Sequence, residues 1–403
     1  MLHVAYLVLN FMRRILIILA AIVVLLGAGG YVYWRYFADT PGLVVTEPTT
    51  LPTSPTTPGG GAAGADAGTA TKVTSRLTKI AAGPVVPGVA VVTIPAANAS
   101  STADVDVRFI ERQSGNIYSY LMNAGTLTRT SNKTLPGIQW AAWLPSGQTA
   151  IVRYLGDDVA TISTYGLAVD GSGGFFLPQN LADVAVSSTS LLTLASGATG
   201  SVASLSGVDG VYKATAFASP LSALRVGFAG SRGYLAFTKP SQSLMGTLFR
   251  VSAGGIFSRI AGPLPGLIAL GNHTGTVALV STSAGGVMRM VLVDTSTGAT
   301  TPLPLSTLAD KCVWTADDAA IYCGVPIAPS LDYSYPDDWY QGAVALSDRI
   351  WKIDVKGRFA QFVFDPQASS VGELDAQALA LDPRATVLVF VNKNDGSLWS
   401  YQL

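Results

Sequence analysis

A short hairpin recurs along this chain about every 46 residues, and that period limits the fold more than any other feature. Each copy is an alternating strand, a turn containing glycine, and a second strand. Clear copies span Leu121–Leu127 with the turn at Gly125, Val251–Phe257 with Gly254, Val293–Gly298, and Ile353–Phe359 with Gly357. Weaker copies turn near Gly173 and Gly210. Successive turn glycines lie 48, 37, 44, 44 and 59 residues apart. A second recurring passage ends a strand, turns at Pro-Gly and starts another apolar strand; it is found at 76–89, 130–138 and 258–267. Glycine suits these turns because it tolerates the positive φ they require.

A four-stranded blade of a β-propeller takes about 40–50 residues. Residues 72–403 number 332, which is about seven such periods. The ends fit a closed ring. The last strand, Ser397–Leu403, has no partner after it, and Ser75–Ile80 is a strand without a blade of its own. The sequence therefore predicts an all-β fold: a single β-propeller of seven four-stranded blades, closed by the N-terminal strand on the last blade. A pair of β-sandwiches would show a boundary near the middle, and a β-helix would repeat over a much shorter length. The acidic residues support the strand-and-turn reading, with 22 Asp against three Glu, and only nine Lys occur. Glu and Lys fill exposed helix faces, whereas Asp favours turns.

Ahead of the propeller, twenty uncharged residues run from Ile15 to Trp34, enough to span about 30 Å as a helix. Arg13 and Arg14 precede them, and Tyr31, Tyr33, Trp34, Tyr36 and Phe37 cluster at the far end. Basic residues favour the cytoplasmic side, and aromatic rings settle at the headgroup level. This pattern predicts a cytoplasmic segment 1–14, a transmembrane helix 15–36 and a disordered Thr/Pro/Gly/Ala stalk 37–71. It makes the chain a single-pass protein of the cytoplasmic membrane with an extracytoplasmic propeller. The competing reading is a cleaved signal peptide, with Ala28, Gly29 and Gly30 as small cleavage-site residues. Met12 is an alternative start.

Residues 72–403 resemble β-propellers of WD-repeat and TolB-like type in pattern, without the Gly-His and Trp-Asp signatures of true WD repeats. Lys311–Asp318 and Pro336–Gly342 are also similar to stretches in uncharacterised membrane-anchored propeller proteins of candidate-phylum bacteria. That resemblance implies an envelope location and no known activity.

Little in the sequence points to catalysis. The net charge is zero and no basic stripe occurs, so nucleic acid is not an expected partner. His273 is the one histidine outside the membrane region and reads as a solvated turn residue. Phosphate-loop, dinucleotide, EF-hand and nucleophile-elbow motifs are missing, so no cofactor, metal or catalytic residue is assigned. Cys312 and Cys323 flank Asp317-Asp318 symmetrically. A hairpin turning at those aspartates places the cysteines opposite each other, which predicts a disulfide; two buried free thiols are the competing reading. Trp140, Trp143, Trp351 and Trp399 read as blade core.

The sixth blade is longer than the others, and the excess is Pro326–Asp348. Its Asp332, Tyr333, Tyr335, Asp337, Asp338, Trp339 and Tyr340 form the candidate binding surface, with rings for contact and carboxylates beside them. A binding role requires those rings to be exposed on one face; otherwise the insertion only packs on its own blade. The leading expectation is a tethered module that binds or scaffolds a protein or an envelope polymer without catalysis. The alternatives are a glycan hydrolase or lyase using Asp carboxylates, and a purely structural surface spacer.

Overall fold

The computed structural model describes residues 76–96, 103–156, 158–231, 233–369 and 371–403. The expected cytoplasmic segment 1–14, membrane helix 15–36 and stalk 37–71 lie outside the described residues. Among the described residues no helix is long and apolar enough to cross a membrane.

The chain from Leu77 onward forms a seven-bladed β-propeller, each blade a four-stranded antiparallel sheet. Blades 1 to 6 occupy residues 90–129, 138–176, 181–219, 224–265, 268–302 and 312–364, each running strand by strand from one edge of its sheet to the other. Blade 7 takes three strands from residues 376–402 and its fourth from Leu77–Ala81. The closing strand pairs antiparallel with Leu398–Gln402, with Leu77 opposite Tyr401 and Lys79 opposite Trp399. This is the closure that the unpaired ends of the sequence require.

Packing explains the unusual apolarity of the middle strands. All six residues of Val387–Asn392 are buried, as are five of six in Gly233–Thr238. Such strands are covered on both faces by neighbouring blades, so a continuous apolar run replaces the usual alternation. Val105, Val107 and Phe109 of blade 1 share a cluster with Val387, Val389 and Val391 of blade 7. At the rim the demand vanishes, and Thr126–Arg129 is exposed throughout. Trp143 and Trp399 are buried as expected, while Trp140 and Trp351 are half-buried.

The six turn glycines of the sequence fall between the third and fourth strands of blades 1 to 6. Gly125, Gly210 and Gly298 have positive φ there. In two copies the left-handed residue is the neighbour: Gly255 rather than Gly254, and Arg358 rather than Gly357. At the Pro-Gly passages, Gly88 also has positive φ, and a β-carbon there would collide with the Ala141 carbonyl of the next blade.

Cys312 and Cys323 lie directly opposite on the first two strands of blade 6 and are joined by a disulfide, with Cα atoms 4.1 Å apart. The bridge spans 11 residues of sequence. Loop-closure entropy gives a bond over so short a loop about 3 kcal/mol. Denaturant unfolding with and without reductant is expected to differ by about 2–3 kcal/mol, and Cys312→Ser/Cys323→Ser is expected to abolish the difference. Identical curves with and without reductant would contradict the bridge.

Candidate functional site

The insertion of blade 6 connects strand Ala320–Pro326 to strand Asp348–Asp354. It therefore lies on the same face of the ring as the connections between blades. It carries one short helix, α1 (Asp337–Gln341), which ends at Gly342 in the left-handed conformation.

The rings of this insertion do not make the exposed platform that a contact surface requires. Tyr335 is fully buried and Trp339 is 4% exposed. Tyr333 is half-buried against the core, and Tyr340 alone is well exposed, at 40%. The reason is a buried ionic cluster beneath α1. Lys311, itself fully buried, pairs with Asp348 at 2.8 Å and with Asp375. The Trp339 indole donates to both oxygens of Asp375, at 3.1 and 3.0 Å, and Leu346 donates its backbone N–H at 3.0 Å. The indole ring also lies under the ammonium groups of Lys311 and Lys393, 4.9 and 5.4 Å from its centre. A buried carboxylate needs every donor it can find, and an indole turned outward would leave Asp375 short of one.

The carboxylates of the candidate surface are also engaged. Asp337 accepts from the Gln242 backbone of blade 4 at 2.7 Å, and Asp338 from the Ser334 backbone at 2.7 Å. Asp332 takes the Ser330 hydroxyl at 3.2 Å. The Ser283 hydroxyl of blade 5 donates to the Tyr335 carbonyl. The insertion thus straps blades 4, 5, 6 and 7 together.

Next to Lys311, Asp310 reaches towards the ring axis. Its carboxylate accepts from Arg225 at 2.8 Å and from the Tyr340 hydroxyl at 2.6 Å. Arg225 lies on the inner strand of blade 4, Leu224–Phe228, with its guanidinium over the Phe237 ring. Arg225 and Asp310 line a cleft of about 790 Å³ between the inner strands of blades 3, 4 and 5. The turns Ser187–Ser190, Gly230–Ser231 and Asn272–His273 surround it on the face opposite the insertion. The cleft wall mixes serine and threonine hydroxyls and small side chains with apolar ones such as Val226, Leu235 and Phe237.

Two features of this face escaped the sequence reading. His273 keeps a solvated ring, but it is tethered: Asp318 of blade 6 accepts from its Nδ1 side at 2.8 Å and from its backbone N–H at 2.9 Å. Asp318 also takes the backbone N–H and hydroxyl of Thr274, and these bonds outweigh the cost of partial burial and hold its carboxyl below the ordinary range. Asp318 has φ of +58°, in a turn position that blade 2 fills with Gly147 and blade 5 with Gly275. The signal was present as a shared spacing, Trp143 to Gly147 and Trp314 to Asp318. Both tryptophans donate their indole N–H to the preceding blade, to Gly88 and Leu270.

No protein-family model and no curated protein matches the sequence. Solved structures do match in fold, and they are β-propeller proteins. An oligogalacturonate lyase from Vibrio parahaemolyticus aligns with a TM-score of 0.52 at 7% identity, covering 81% of this chain and 93% of that one. An oligogalacturonate lyase in complex with manganese aligns at 0.50 and 9% identity, covering 74% and 86%. TolB from Acinetobacter baumannii aligns at 0.42 and 9%, covering 68% and 78%. At these identities the likeness is one of fold. Among the described residues, no three His, Cys, Asp or Glu side chains are grouped to hold a metal ion.

Burial pushes the Asp348 carboxyl up to about 6, against the pull of Lys311 and with a push from Asp375. One of its oxygens, Oδ1, is buried without a partner. The folded protein therefore binds this proton more tightly than the unfolded chain, whose carboxyl has the ordinary value of 3.8. The contribution of Asp348 to stability grows as pH falls through about 6 and shrinks as pH rises. The unfolding free energy of the wild type minus that of Asp348→Asn is expected to rise by about 1 kcal/mol between about pH 7.5 and pH 5. A flat difference over that window would contradict a raised Asp348.

Proposed function

We propose that this propeller is a binding or scaffold module without catalysis, held at the outer face of the cytoplasmic membrane by the helix expected at 15–36. Its partner is a protein or an envelope polymer, and it enters the axial cleft of blades 3 to 5. The observation that carries this reading is the cleft itself: about 790 Å³, within the usual range for ligand pockets of roughly 300–1,000 Å³. Blades 2 to 5 and the connection into blade 6 contribute to it, and Arg225 is pre-positioned by Phe237 and Asp310. A stacked guanidinium loses little freedom on binding and presents its remaining N–H donors to carbonyl or hydroxyl oxygens. The serine and threonine hydroxyls at 187–190 add donors and acceptors at the mouth.

A glycan hydrolase or lyase working with two carboxyl groups needs both of them in the cleft. Asp310 is the one carboxylate among the lining residues, and Arg225 and Tyr340 already occupy it.

Photo-crosslinking in cells tests the proposal. A crosslinker at Ser188 or Ser231 of the full chain is expected to capture one discrete partner, and Arg225→Ala is expected to abolish the adduct. The same group at Thr128, on the exposed rim of blade 1, is expected to capture nothing discrete. Equal capture from Thr128, or an adduct indifferent to Arg225→Ala, would overturn the cleft as the binding site.

A further inference from the structure

Lys311, Asp348 and Asp375 meet beneath α1, away from the axial cleft. Lys311 and Asp375 have no exposed side-chain surface, and Asp348 is 1% exposed. Lys311 ends the short 3-10 helix Ala309–Lys311 at the entry to blade 6. Asp348 opens the third strand of that blade, and Asp375 directly precedes the first strand of blade 7, Ala376–Leu381. The Lys311 nitrogen donates to Asp348 Oδ2 at 2.8 Å and to Asp375 Oδ1. As a salt bridge alone this is a costly use of the interior, because three charges leave water.

Three details fit these groups to react as well as to pair. The first is placement. The packed entries of two blades hold an amine nitrogen against a carboxyl group, so little freedom is left to lose on the way to a bond. The second is the far oxygen of Asp375. Oδ2 accepts from the Trp339 indole at 3.0 Å and from the Leu346 backbone N–H at 3.0 Å. Two donors on one oxygen stabilise the negative charge that develops there when a nucleophile adds to the carbon. The third is Asp348. The Ala376 N–H fixes its Oδ2 at 2.7 Å, its Oδ1 is buried without a partner, and burial pushes its carboxyl up to about 6. A carboxyl of that kind, in contact with the amine, can take up and return protons near neutral pH.

We infer that Lys311 and Asp375 join in an intramolecular amide bond, with Asp348 carrying the protons. Lys311 passes one proton to Asp348, and the neutral amine adds to the Asp375 carboxyl carbon. Asp348 returns that proton to Asp375 Oδ1, takes a second from the nitrogen and delivers it to the same oxygen. Oδ1 leaves as water, Oδ2 remains as the amide oxygen on the Trp339 and Leu346 donors, and Asp348 ends as it began. An ammonium and a carboxylate, both costly in the interior, become one neutral group. Hydrolysis would need water at a site that excludes it. The bond links residues 64 apart in sequence and fastens blade 6 to blade 7, the blade that carries the seam.

Tryptic mass mapping of the reduced and alkylated full chain tests the inference. The wild type is expected to give residues 290–349 joined to residues 359–384, at their summed mass less one water and uncut after Lys311. Separate peptides 290–311 and 359–384 in its place would overturn the inference. So would a water lost within 359–384 alone, as an aspartyl succinimide. Asp375→Asn is expected to form the same joint with loss of ammonia instead of water. A joined species that still loses water in this variant would place the reaction at another residue and overturn the assignment. Asp348→Asn keeps both reacting groups and is expected to yield about tenfold less of the joined species. Joining as complete as in the wild type would contradict Asp348 as the proton carrier. The wild-type map decides the bond itself whether or not either variant folds.

Discussion

Everything else in this domain depends on the antiparallel pairing of Leu77–Ala81 with Leu398–Gln402. A propeller is a ring of sheets that contact only their neighbours, so its strength at any blade depends on having a neighbour on both sides. Here the seam lies in blade 7. It is closed by main-chain hydrogen bonds and reinforced by side chains from the closing segment. Arg76 and Gln402 exchange bonds, with Arg76 Nε 3.1 Å from the Gln402 carbonyl and the Gln402 N–H 2.9 Å from the Arg76 carbonyl. The cations of Arg76 and Lys79 lie over the Tyr401 and Trp399 rings. The same pairing keeps Leu398–Gln402 from being a bare sheet edge.

A second constraint acts across the ring. Lys311, Asp348 and Asp375 bring three charges into the interior, and such a group is tolerable only when each member is well partnered. Satisfying it fixes the position of Trp339, hence of α1, hence of Tyr340 against Asp310 and Arg225. The insertion therefore does two things. Its interior side locks blades 4 to 7, and its tip helps set the arginine that lines the cleft on the opposite face. Trp339 and Tyr335 of the candidate surface are buried in this packing, and Tyr340 bonds to Asp310 beside Arg225.

The sequence made the periodic features legible and hid the long-range ones. Blade count, the position of the third-to-fourth-strand turns and the closing strand all follow from local turn chemistry repeated at a fixed interval. The pairing of Cys312 with Cys323 follows from their symmetry about one turn. The direction of Trp339 does not follow from anything near it, because its acceptor is 36 residues further on. A loop rich in Tyr, Trp and Asp has the same composition whether its rings face a partner or a buried carboxylate. Asp318 shows the same limit from the other side: it stands where glycine would relieve the backbone, and only the neighbouring blade shows what its carboxylate does there. The axial cleft was invisible in sequence because residues from several blades, Pro145 to Asp310, meet only once the ring has formed.

Ring closure can be measured directly by native-state hydrogen exchange on the full chain, read at the backbone amides of residues 398–402. If Leu77–Ala81 completes blade 7, these amides near the C-terminus are expected to exchange as slowly as those of the central strand Val387–Asn392. Their protection is then expected to collapse when residues 76–81 are replaced by a Gly/Ser sequence of equal length. Fast exchange at 398–402 in the native chain, or protection unchanged by the replacement, would contradict the closed ring.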